Sequence, residues 1–182
     1  KKKRRTTRLN RRKEIYFMAK RKSKSKKQTT LILTAIACLF GLAAILMMFA
    51  PAVVQPDTDS SFTGVQTAFG YSKTLGISGV LEGKVQVLNV NALALIAYML
   101  PIAGIVLVVL FRKSSLFNFI AAGAFIAAGV CAFLMVQTFP ATVIGSEYVD
   151  TTGLWQLGIG AILSGAFSCV AGLASIAKVL LK

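Results

Sequence analysis

Long uncharged stretches alternate with short charged ones along this chain. No Asp, Glu, Lys or Arg occurs from Gln28 to Pro56, Val85 to Phe111, Ser114 to Ser146, or Thr151 to Ala177. A hydrocarbon layer of ~30 Å is crossed by a helix of ~20 apolar residues. The pattern therefore predicts four spans, Thr29–Ala50, Val90–Phe111, Leu116–Phe139 and Leu154–Leu181. The last is long enough to tilt or to run past the layer. Four such helices in 182 residues leave no polar layer to cover them in water. The expected fold class is all-α membrane: a four-helix transmembrane bundle with a small β-rich extracytoplasmic loop between the first and second helices.

That loop, residues 51–89, is too long to be a passive link. Over FTGVQTAFGY, the residues Thr63, Val65, Thr67, Phe69 and Tyr71 alternate with small or polar neighbours. A period of two in β-forming residues predicts a strand. Leu81–Leu88 is a second candidate, and Gly76, Gly79 and Gly83 punctuate the interval. The expectation is a small antiparallel sheet on the outer helix ends, because an isolated hairpin is marginal in water. Tyr148 and Trp155 fall near the same boundary, where amphipathic rings prefer to sit.

Charge adds orientation. The net charge is +15 and the pI about 10.2, a balance that first points to nucleic acid. Position overturns that reading, since 15 of the 21 Lys and Arg residues lie between Lys1 and Lys27. With four spans, both termini and the turn Arg112–Ser115 share one side. The opposite side holds only Lys73 and Lys84 against Asp57, Asp59, Glu82, Glu147 and Asp150. Positive residues stay in the cytoplasm, so a multi-pass cell-membrane protein with both termini cytoplasmic is expected. The run Lys20, Arg21, Lys22, Lys24, Lys26 and Lys27, in a polybasic tail over residues 18–28, anchors this topology and suits anionic lipid headgroups. It lacks the interleaved aromatics on which bases stack, so nucleic acid is not expected.

The first Met is Met18. Lys13-Glu14 can be encoded AAG GAG, a bacterial ribosome-binding sequence three codons upstream of it. Residues 1–17 are expected to be an untranslated leader, the alternative being a basic arm. The first span ends APAV, which resembles a cleavage site, but its apolar run exceeds the 7–15 residues typical of a signal peptide. A retained helix is expected.

The fourth span carries small residues four apart, Gly160, Ser164, Ser168 and Gly172, with Gly165 in an adjacent row. Such rows let helix backbones approach closely in lipid. The third span offers Ala124, Ala128 and Ala132 as a partner row. Packing within the bundle is one use of these faces, and a second membrane subunit or copy is the other. Pro101 interrupts the second span and predicts a kink, since it opposes the carbonyl four residues earlier and donates no hydrogen bond.

Candidate chemistry is sparse. There is no His, which excludes imidazole metal sites and His-based acid–base catalysis. Cys38, Cys131 and Cys169 fall within spans and form no CxxC pair. The spans are read as free of ionisable residues, which argues against a pump or proton-coupled exporter. No cofactor and no catalytic set is expected. Thr34, Asn91, Asn118 and Gln137 read as interfacial or helix-bonding groups.

Four helices, cytoplasmic termini and a β-rich first outer loop together resemble the claudin-like tetraspan layout. The resemblance covers Met18–Lys182 in topology. The loop motif of that family, a tryptophan and GLW followed by two cysteines, is absent, and Trp155 precedes the fourth span. No residue role carries over. In general character the chain resembles small uncharacterised four-span membrane proteins of Gram-positive bacteria. The expected function is a non-enzymatic structural or accessory subunit acting through the outer loop and the small-residue faces. The alternative is a channel or transporter component for a neutral solute.

Overall fold

The computed structural model describes residues 26–56, 60–77, 81–138, 142–144, 147–149, 153 and 155–181. Four helices among them are long and apolar enough to cross a membrane: α1 (Lys26–Phe49), α3 (Ala92–Leu110), α4 (Ser115–Leu134) and α5 (Ile159–Leu180). A short helix, α2 (Gly64–Phe69), and seven strands complete the order. The strands are β1 (Pro51–Gln55), β2 (Ser60–Thr63), β3 (Tyr71–Ile77), β4 (Leu81–Leu88), β5 (Thr142–Ile144), β6 (Glu147–Val149) and β7 (Gln156–Leu157). The long helices alternate in direction. Lys26, Phe111–Ser114 and Leu181 gather at one end, called here the basic end, and all the strands lie at or beyond the other.

Two asparagines tie the α3–α4 hairpin, one at each end. Asn91, 2% exposed, caps α3: its Oδ1 accepts from the N–H groups of Leu93 and Ala94 at 3.0 and 3.2 Å. Its Nδ2 donates to the carbonyls of Met135, at 3.1 Å, and Thr138, at 3.4 Å, just past the end of α4. Asn118 repeats the device at the basic end, donating to the carbonyls of Phe111, at 3.3 Å, and Ser114. Each side chain thus reaches carbonyls at or beyond a helix C-terminus, Met135 and Thr138 for Asn91 and Phe111 for Asn118, where helix geometry leaves them without intrahelical partners. Pro101 is buried inside α3, which is helical on both sides of it.

The bundle interior combines small and polar side chains with a few large ones, Tyr98, Val108, Phe125 and Met135. Gly41 and Gly104 receive the ring of Phe125, which lies 2.9 and 2.8 Å from where their Cβ atoms would stand. Such contacts leave no space for a side chain at either glycine. Ser164 donates to the carbonyl of Ala44 at 3.0 Å, joining α5 to α1. Phe40 and Phe167 meet with centroids 5.7 Å apart between the same two helices.

The sheet end departs from the sequence expectation in three ways. Gly64–Phe69 is helix, where alternation predicts strand. Thr63 and Gln66 form a reciprocal capping box, with Gln66 Oε1 accepting from Thr63 N at 3.0 Å and Thr63 Oγ1 accepting from Gln66 N at 3.4 Å. The buried positions Gly64, Thr67 and Ala68 follow helical spacing. Gly70 then ends the turn at φ +83°, with Leu88 O 2.9 Å from where a Cβ would stand. Second, strands also occur between α4 and α5, and β7 pairs with β1 to complete an antiparallel sheet of order β2-β1-β7. Separate antiparallel hairpins join β3 to β4 and β5 to β6. Third, α5 begins at Ile159 rather than Leu154, because Gln156–Leu157 is recruited into the sheet. Likewise α4 ends at Leu134, short of Phe139, and Met135–Thr138 form a turn.

The sheet rests on the helix ends. Ala52 and Val53 of β1 share one core with Met48, Ala94, Tyr98, Met135 and Ala161. Gly158 donates to Ala52 O at 2.8 Å. A Cβ on Gly158 would meet the carbonyl oxygen of Pro51, and one on Gly160 would lie 2.8 Å from the same atom. The start of α5 therefore lies flat against the chain leaving α1.

Candidate functional site

A concavity opens at the basic end, between the first turns of α1, the turn joining α3 to α4, and Leu181 just after α5. Its volume is about 1290 Å³. Lys26, Lys27, Arg112 and Lys113 bring four cationic side chains to its lining, and among the described residues no acid side chain contributes. Leu31, Leu110 and Leu181 supply apolar wall, and each is about half exposed or more.

The chain fixes this arrangement from inside. α3 stops at Phe111, whose N–H still reaches Leu107 O at 3.0 Å. Ser114 N donates to Phe111 O at 2.9 Å, closing the turn, and the buried Asn118 holds the same carbonyl. Phe111 stacks on Phe117 with centroids 4.1 Å apart and planes at 20°. Arg112 and Lys113 are the exposed tip of a turn whose base is pinned. On the facing helix, Thr30 donates to Lys26 O at 2.9 Å and Thr34 to Thr30 O at 2.8 Å, so the hydroxyls are taken up locally.

Lys178 lies in the last turn of α5 and is 1% exposed. The spans are therefore not free of ionisable residues, as the sequence reading held: α5 continues through Lys178 and turns it inward. The last turn is where the negative end of the helix dipole favours a cation.

The small-residue positions are distributed between two neighbours. Ser164 approaches α1 and Gly160 the chain just beyond it, as described. Gly165 faces the ring of Phe133, 2.7 Å from its Cβ position, and Gly172 faces Ile126 at 2.8 Å. Gly129 of α4 meets Cys169 Sγ and Gly165 O at 2.7 and 3.0 Å. Ser168 is buried, and its hydroxyl has no hydrogen-bond partner. The close approaches of α4 to α5 thus run through Ala122, Ile126, Gly129 and Phe133. Ala128 and Ala132 are buried, Ala124 is half-buried, and Ala132 shares a core with Ala94 and Ala97 of α3. Of the predicted headgroup contacts, Lys26 and Lys27 line the cavity. Lys20, Arg21, Lys22 and Lys24 lie outside the described residues, as do residues 1–17. Sequence reasoning missed Arg112 and Lys113 as partners of this site. They counted only as charges on one side, because nothing local links positions 26 and 112.

At the sheet end an aromatic group replaces the basic one. Phe62 lies 5.4 Å from Trp155 and 6.1 Å from Tyr71, centroid to centroid, with tilted rings. Trp155 is therefore partly packed on β2. The three cysteines are free and half-buried, and no cluster of His, Cys, Asp or Glu able to hold a metal occurs among the described residues.

The chain matches no protein-family model and no curated protein. Function is read from its own arrangement.

Proposed function

We propose that this is a multi-pass membrane protein that acts as a non-enzymatic structural or accessory subunit, with its sheet end outside the cytoplasm and offered to a partner. The distribution of side chains carries the membrane part. Inside the bundle stand Ala37, Ala97, Ala121, Ser164, Ser168 and Ser175, while Leu39, Leu46, Phe49, Leu116, Phe119 and Leu173 face outward, each more than 60% exposed. A perimeter more apolar than its interior suits lipid. In water it would form an exposed patch far beyond the few hundred Å² that soluble monomers carry. The basic end then faces the cytoplasm, following the positive-inside rule.

The accessory role rests on the sheet end. β3 is a seven-residue strand laddered only to β4 among the described residues, so its other edge has backbone groups that an added strand can pair. The rings and glycines at the bundle centre favour packing over a solute path, because Phe125 fills the space between Gly41 and Gly104.

Purification in mild detergent tests the reading. A second membrane protein is expected in fixed stoichiometry, and exchanging Thr74 for Pro, which removes a strand N–H, is expected to release it. Extraction by carbonate without detergent refutes membrane insertion. Solute flux by the chain alone in liposomes refutes the accessory role.

A further inference from the structure

We propose that the cavity at the basic end is a specific site for one anionic phospholipid of the surrounding leaflet. This rests on the membrane reading above, which places that end at the headgroup level. Two chemistries converge there. Lys26 and Lys27 come from α1, and Arg112 and Lys113 come from the α3–α4 turn, so cations from separate elements flank one concavity. Leu31, Leu110 and Leu181 line the same space and remain exposed. A soluble phosphate compound uses only the first feature and a neutral lipid only the second. A lipid with a net negative head uses both.

The volume of about 1290 Å³ exceeds the ~300–1,000 Å³ of ordinary small-molecule sites. It suits a headgroup with the upper part of its chains. Arg112 offers the planar fork that meets phosphate oxygens in pairs, and the lysines act as point charges. The turn bearing Arg112 and Lys113 is held by Asn118 and by Phe111 on Phe117, so little ordering is left to binding. The apolar wall separates this site from general attraction of a basic tail to the leaflet, which needs no cavity.

The test uses the full chain in nanodiscs of equal phosphatidylglycerol and phosphatidylcholine, with retained lipid counted by native mass spectrometry. One phosphatidylglycerol is expected to be retained at least tenfold over phosphatidylcholine. The double variant Arg112→Gln/Lys113→Gln removes two charges from an exposed turn. Each is worth about fivefold near the surface, so a loss of about thirtyfold is expected. Lys20→Gln/Lys22→Gln removes the same charge from the polybasic tail and is expected to change retention less than threefold. Leu31→Gln is expected to weaken it severalfold with charge intact.

Equal retention of the two lipids overturns the proposal, as does equal loss in the two double variants. Displacement by deacylated glycerophosphoglycerol as readily as by a short-chain phosphatidylglycerol also overturns it, since the occupant is then a soluble phosphate compound. Incorporation of the chain into the nanodisc reports the membrane reading separately.

Discussion

Asn91→Ala removes a side chain that works in two directions. Its oxygen caps α3 through Leu93 and Ala94, and its amide holds Met135 and Thr138 beyond α4. Loss of a cap costs about 1 kcal/mol. An interhelical hydrogen bond in a membrane protein averages ~0.6 kcal/mol, with ~1.7 kcal/mol as an upper value. Asn91 is 2% exposed, so water does not replace the lost partners readily. The expected destabilisation is about 2 kcal/mol, or a fall in midpoint of ~4–8 °C for a chain of this size. Asn91→Ser keeps a cap oxygen and lacks the reach to Met135, so about half of the loss is expected. Reversible unfolding in mixed micelles measures both. Trp155 reports it, being the single Trp and packed on Phe62. Asn91→Ala within ~0.5 kcal/mol of the parent refutes the two-way role. Equal losses in the Ala and Ser variants refute the assignment of half the effect to the cap.

Three further outcomes follow from the packing. Gly123→Ala has nothing within 4 Å of its new Cβ and is expected to stabilise α4 by ~0.5–1 kcal/mol through helix propensity. Gly129→Ala gains the same propensity but meets Cys169 Sγ at 2.7 Å and Gly165 O at 3.0 Å, so net destabilisation is expected in the same unfolding assay. Gly158→Ala places a methyl against the backbone carbonyl of Pro51, which cannot swing aside as a side chain can. A loss of roughly 1–3 kcal/mol, seen as an earlier change in Trp155 fluorescence, is expected. In a background with Cys38, Cys131 and Cys169 replaced by Ala, a cysteine at Ser60 is expected to react with an impermeant maleimide on intact cells. One at Gln28 is expected to react only after permeabilisation, and the reverse pattern inverts the proposed topology.

Element existence was legible in the sequence where the signal is a sum over many residues. Four uncharged runs long enough for lipid became α1, α3, α4 and α5, because helix is the conformation that satisfies every backbone group without water. The charge imbalance between the two ends was likewise countable from the chain alone. Local chemistry was legible in part: Thr63 and Gln66 carried the capping-box spacing, but the two-residue alternation beside it pointed to strand. Contact decided between them, because Gly64, Thr67 and Ala68 turn inward and Gly64 lies under Tyr98 and the Met48 carbonyl. Tertiary structure alone drew Gln156–Leu157 out of the fourth apolar run and onto β1, 102 or more positions away. It alone turned Lys178 inward and brought Lys26 and Arg112 to the lining of one cavity. Length and charge are properties of a segment read by itself, whereas a shared cavity or a strand pairing depends on which distant segment arrives opposite, and no local pattern encodes that.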